Sequence, residues 1–149
     1  MKKLIAFCLF FASLFGFSFI PISPQNDLFS LNGIFRACFV TEEIVEADNV
    51  VETMNYNYVY VDKQDLSNYN EFDAEAIVLY FDSITKQELV KSLDMLVFKE
   101  EKIGEYEIIY GYTTKYKDFK LIDNKRVNVQ IVETKNQLIA GFPMILTGF

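Results

Sequence analysis

Residues 76–97, AIVLYFDSITKQELVKSLDMLV, restrict the fold of this chain more than any other stretch. Ala76–Phe81 is an unbroken apolar run rich in strand formers, which suits a strand covered on both faces. Asp82 and Ser83 break the run. Thr85 then stands three residues before Glu88, the spacing of a capping box, in which each side chain satisfies a free backbone N–H of the other residue. Ile84 and Leu89 flank the cap as a hydrophobic staple. Beyond it Leu89, Val90, Leu93, Leu96 and Val97 make one apolar stripe, opposite Lys86, Gln87, Lys91, Ser92 and Asp94. The spacing predicts a helix over residues 85–97 stopped by Gly104, and a sheet to receive its stripe.

Around this unit, strand signals outnumber helix signals. Residues 34–41 form a strand-like run. Residues 55–62 alternate, with Tyr56, Tyr58 and Tyr60 on one side and Asn57, Val59 and Val61 on the other. Residues 42–52 are acidic and weakly patterned, either a loop or a short irregular strand, and residues 63–71 have room for a helical turn or two. Residues 106–113 alternate with Ile108, Tyr110 and Tyr112 on one face, and Gly111 marks a bulge or a close approach. Residues 119–122 and 127–132 flank a turn over residues 123–126, with Val127, Val129 and Ile131 opposite Asn128 and Gln130. Residues 138–142 and 144–146 close a meander in which Pro143 belongs at an edge or a break. The fold class is α+β: a mainly antiparallel sheet with one principal helix packed on one face, preceded by an N-terminal signal or anchor helix.

Met1-Lys2-Lys3 precedes a charge-free apolar run over residues 4–20, with Gly16 and Ser18 at the −3 and −1 positions of a peptidase site. Cleavage after Ser18 and retention as a membrane anchor are both open. Either fate places the rest outside the cytoplasm by the positive-inside rule, secreted or anchored, with membrane contact only through residues 4–20 if they are kept. The expected organisation is a signal peptide or anchor over residues 1–23, a linker over residues 24–33 and a single α+β domain over residues 34–149.

The net charge of −7 argues against nucleic acid as a partner. Ten acids and one base lie between Thr41 and Glu75, whereas acids and bases balance from Ala76 onward. With no histidine, the commonest general base and the Ser–His and Cys–His pairs are excluded. With Cys8 in the leader, Cys38 is left alone and is expected to be a small buried hydrophobe. No phosphate loop, dinucleotide fingerprint or nucleophile elbow occurs. The oxygen-rich stretch Asp65, Asn68, Asn70, Asp73 and Glu75 lacks the spacing and turn glycine of a calcium loop. No catalytic residue, metal ligand or cofactor is therefore assigned.

The tyrosine row Tyr56, Tyr58 and Tyr60 and the amides Asn128 and Gln130 are the candidate ligand-binding residues, and another envelope protein or a wall polymer is the candidate partner. A small-molecule or lipid cavity between helix and sheet is the alternative. Lys115, Lys117, Lys120, Lys125 and Arg126 form a loose basic segment broken by Asp118 and Asp123, either a solvated edge or a site for an anionic polymer or lipid headgroup.

The C-terminal third, IIYGYTTKYKDFKLIDNKRVNVQIVETKNQLIAGFPMILTGF, joins Gly111-Tyr112, the run Val127 to Ile131 and Gly141-Phe142-Pro143. It resembles the end of the YwmB-like proteins of spore-forming Gram-positive bacteria, which show a Gly-Tyr strand, a turn, Val-Asn-Val-Gln-Ile and a closing Gly-x-Pro strand. The resemblance implies an extracytoplasmic protein of the cell envelope or of sporulation, and export, the aromatic strands and the absent catalytic motifs point to a non-enzymatic role. It also implies a fold likened in shape to the TATA-box-binding saddle, and it supplies no catalytic residues.

Overall fold

The computed structural model describes residues 28–42, 45, 49–68 and 74–147. Its frame is one antiparallel sheet of eight strands: β1 (Phe35–Thr41), β2 (Val50–Glu52), β3 (Asn57–Asp62), β4 (Ala76–Phe81), β5 (Leu96–Ile103), β6 (Tyr106–Tyr112), β9 (Val129–Glu133) and β10 (Leu138–Phe142). The order across the sheet is β2-β3-β1-β4-β10-β9-β6-β5. Strands β1 to β4 make one half and β5, β6, β9 and β10 the other, and the two halves meet along the β4–β10 seam. A separate two-stranded ribbon pairs β7 (Lys120–Ile122) with β8 (Lys125–Val127). One helix, α1 (Lys86–Ser92), and a 3-10 helix (Lys63–Asn68) complete the described elements.

The expected α+β class holds in outline, with one helix against a mainly antiparallel sheet. Expectations for residues 1–23, signal peptide or anchor, lie outside the described residues. Among the described residues no helix is long and apolar enough to cross a membrane.

The helix begins where expected. The Thr85 N–H donates to Glu88 Oε2 at 2.9 Å, and the Glu88 N–H donates to Thr85 Oγ1 at 3.3 Å. The Thr85 N–H, and then the Thr85 hydroxyl donating to the same Oε2 at 2.7 Å, hold the Glu88 carboxyl below the usual glutamate range. The end of the helix differs from expectation. Leu93 caps it, Asp94 takes a left-handed φ of 46°, and Leu96 and Val97 pair in register with Tyr112 and Gly111 as the start of β5. Their helical spacing yields to cross-strand pairing, and Leu96 is 60% exposed instead of joining the stripe. Gly104 serves the β5–β6 turn with φ +62°, not the helix stop.

Two apolar layers flank the sheet. On the helix side Leu89 and Leu93 pack with Phe39, Val59, Val61, Leu79, Val129, Ile131 and Phe142. On the other side Cys38, Val40, Ala76, Val78 and Ile139 are covered by Tyr56, Tyr58, Tyr60, Tyr80 and Ile145. This double coverage explains why β4 is apolar throughout and does not alternate. Two other boundaries shift. Leu28 and Leu31, in the expected linker of residues 24–33, are buried in the core. The turn between β7 and β8 is the pair Asp123–Asn124, both at positive φ, so Lys125 and Arg126 are strand residues. Strand β10 lies mid-sheet, and Pro143 follows its last residue across a cis peptide bond.

Lys86 ties the helix to the sheet. Its ammonium bonds both Glu107, on β6, and Glu133, on β9, the latter at 2.8 Å, and these two glutamates are cross-strand partners. Its hydrogen bonds to Glu107 and then to Glu133 raise its pKa, and Lys86 in turn holds the Glu107 carboxyl below its usual range. Lys86→Met is expected to lower stability by about 1 kcal/mol at neutral pH, because two adjacent carboxylates lose their shared cation. Glu107, with its pKa depressed in the fold, stabilises above the unfolded glutamate value and loses that contribution as pH falls through its folded value. Lys86, with its pKa raised, stabilises below the ordinary lysine range and loses its contribution only above it. Thermal midpoints of parent and variant are therefore expected to differ at pH 7 and to converge as pH drops below the ordinary glutamate range. A constant difference down to strong acid would contradict this assignment.

Candidate functional site

The register of β3, β1 and β4 brings together residues far apart in sequence. Arg36 is the cross-strand partner of both Asp62 and Tyr80, and Cys38 is the partner of Tyr60 and Val78. Arg36 Nε donates to Asp62 Oδ1 at 3.0 Å. The rings of Tyr60 and Tyr80 stand 6.4 Å apart, tilted by 35°. Tyr80 shares a 2.8 Å hydroxyl contact with Thr147, which steadies it from the C-terminal side. Arg36, Tyr60, Asp62, Tyr80 and Gln137 border an open groove of about 990 Å³ at one end of the sheet.

Lys63, at the groove margin, is engaged in holding the fold. Its ammonium donates to the carbonyls of Leu31 and Gly33 at 2.6 and 2.9 Å and lies 4.9 Å from the centre of the Phe35 ring. Cys38 lies under Tyr60. Burial pushes its thiol up to about 12, against a smaller lowering by the Tyr60 hydroxyl. Burial first, and then Cys38, push Tyr60 up to about 12 as well. Burial raises Tyr80 too, opposed by its bond to Thr147. At neutral pH the groove therefore presents neutral phenols above a protonated, inert thiol.

The remaining groove charges are balanced. Arg36 pairs with Asp62, and Lys63 is matched in number by Asp82. Asp62 and Asp82 are both exposed to water. Among the described residues no cluster of three or more acidic or cysteine side chains is placed to hold a metal ion. Asn70 and Asp73 of the oxygen-rich stretch lie outside the described residues.

The five candidate residues part company. Tyr60 lines the groove; Tyr56 and Tyr58 lie on the same sheet face and help cover its apolar layer. Asn128 is completely buried, and its amide bonds Thr113 and Tyr116 of the chain itself. Gln130 is buried and accepts from the Ile145 N–H at 3.1 Å. These two amides belong to the fold and are not presented to a ligand. Sequence reasoning missed Arg36, Tyr80 and Gln137. Arg36 is the only charge in β1, and Tyr80 the only hydroxyl in β4, and both are visible as interruptions of apolar runs. On the sheet-facing side of the helix, Leu89 and Leu93 are fully buried in the core.

The chain matches no protein-family model, no curated protein and no solved structure.

Proposed function

We propose that the protein is an exported, non-enzymatic binding module of the cell envelope that holds a neutral, hydroxyl-rich segment of a wall polymer in the groove beside Tyr60 and Tyr80. The reading rests on one convergence: two phenol rings, an Arg–Asp pair and an amide meet around a charge-balanced opening. Aromatic rings offer apolar faces to the C–H side of a sugar ring, and their hydroxyls offer a polar edge. Arg36, Asp62 and Gln137 supply donors and acceptors for ring hydroxyls. Charge balance favours an uncharged ligand over an ionic one. The apolar leader supports export, and the C-terminal resemblance supports an envelope role.

Titration calorimetry of the protein with soluble cell-wall oligosaccharides is expected to show saturable binding. Arg36→Ala and Tyr60→Ala are each expected to weaken it about tenfold, the equivalent of roughly 1.4 kcal/mol, with an unchanged far-ultraviolet spectrum. Absent saturation, or binding indifferent to both substitutions, would remove this function from consideration.

A further inference from the structure

We propose that the β7–β8 ribbon is a membrane-docking arm that rests on the headgroup layer of an anionic lipid bilayer. The ribbon forms a sheet of its own, outside the eight-stranded frame. Leu121 and Arg126 are cross-strand partners, so their side chains share a face, and Phe119, two residues before Leu121, projects to the same side. Arg126 stacks on the Phe119 ring at 4.8 Å. Leu121 is 68% exposed and Phe119 42% exposed, so this face presents apolar surface directly to water. Lys117 and Arg126 are exposed on this side, and Lys120 and Lys125, one residue out of step with Leu121 and Arg126, are exposed on the other. From Lys115 to Arg126 five cations stand against Asp118 and Asp123, on a chain whose net charge is −7.

That reversal of charge chooses the partner. A cationic ribbon with leucine and phenylalanine on one face matches a bilayer interface, where cations meet lipid phosphates and apolar side chains enter the acyl boundary. A soluble polyanion would use the cations and leave Leu121 in water. A second copy docked face to face would set the same cations against one another. The arm is also distant from the groove. It extends beyond β6 and β9 toward edge strand β5, where Lys125 lies 5.4 Å from the Phe98 ring, whereas the groove opens on β3, β1 and β4. Docking would leave the groove free.

The chain has no tryptophan, so one indole reports position without background. Leu121→Trp places it on the arm. Met54→Trp places it on the fully exposed loop between β2 and β3, at the opposite edge of the sheet. Both keep the whole chain, so tethering through residues 4–20 is common to both. With vesicles of phosphatidylcholine and phosphatidylglycerol carrying brominated acyl chains, the Leu121→Trp emission is expected to shift to shorter wavelength and lose about twofold in intensity. The Met54→Trp emission is expected to stay unchanged. Adding Lys117→Glu and Lys120→Glu to the first variant should raise the lipid concentration needed by at least about tenfold.

Quenching that is absent on anionic vesicles, equal at both positions, equal on pure phosphatidylcholine, or insensitive to the charge reversals would each overturn the proposal. So would the same emission shift on soluble polyphosphate, which would assign the arm to a polyanion instead.

Discussion

Asn128→Ala is expected to remove about 3–5 kcal/mol of stability. The side chain is fully buried, and its amide makes three hydrogen bonds. Oδ1 accepts from the Thr113 N–H at 2.7 Å, and Nδ2 donates to the carbonyls of Thr113 and Tyr116 at 2.7 and 2.6 Å. Thr113 in turn donates its hydroxyl to the Leu93 carbonyl at the end of α1. One amide thus joins the β8–β9 junction, the loop after β6 and the C-terminus of the helix. Truncation strands three backbone groups away from water, and each unmet group costs about 1–3 kcal/mol before relaxation. Against a typical total of about 5–15 kcal/mol, the loss is large. Urea unfolding should show it as a lower midpoint at constant slope.

Asn128→Asp sharpens the test. A carboxylate there would keep one acceptor where it is needed but point the other at two carbonyl oxygens. The neutral acid is the favoured form in the fold, so the variant's folded pKa is raised. Its stability is then greatest below the ordinary aspartate range and falls as pH rises through the folded value. The opposite slope would show that the site tolerates a charge and that the amide network matters less than its geometry implies.

The sequence made the interior of this sheet legible wherever a residue's neighbours are its own strand. The Thr85–Glu88 box, the opposition of Tyr58 and Tyr60 to Val59 and Val61, and the inward pair Val129 and Ile131 follow from local spacing, and the structure contains all of them. What failed was set by distant pairing. Strand β5 opens with Leu96 and Val97 at helical spacing and continues as Lys99, Glu100, Glu101 and Lys102, the composition of a solvated edge. Strand β10 has its expected bounds and breaks at Pro143, but nothing local says that it sits mid-sheet. The groove was illegible for the same reason. Arg36, Asp62, Tyr80 and Gln137 meet only through the registers of β1 with β3 and β4 and of β4 with β10. Asn128 and Gln130 were assigned to the correct face, but nothing local says that the chain's own loops cover them.

Gly141→Ala is expected to unseat the segment over residues 144–147, at a cost of about 2–4 kcal/mol. A Cβ at Gly141 would lie 2.3 Å from the Ile145 nitrogen and 2.4 Å from the Met144 carbonyl carbon, both backbone atoms that cannot swing aside. Two attachments depend on that close approach: the Ile145 N–H bond to Gln130 and the Tyr80 contact with Thr147. Displacing the segment strips Ile145 from the apolar layer that also encloses Cys38. Because burial is what pushes that thiol up to about 12, native-state alkylation in a Cys8→Ser background should be slow in the parent and clearly faster in the variant. Gly104→Ala separates space from conformation. Nothing lies within 4 Å of its added carbon, but its φ of +62° disfavours a side chain. It should cost only about 1 kcal/mol and leave the alkylation rate unchanged. Equal alkylation in the two variants would mean that the C-terminal segment does not shield Cys38. Tyr80, held from the same side by Thr147, would then have to keep its place in the groove by packing against Tyr60 alone.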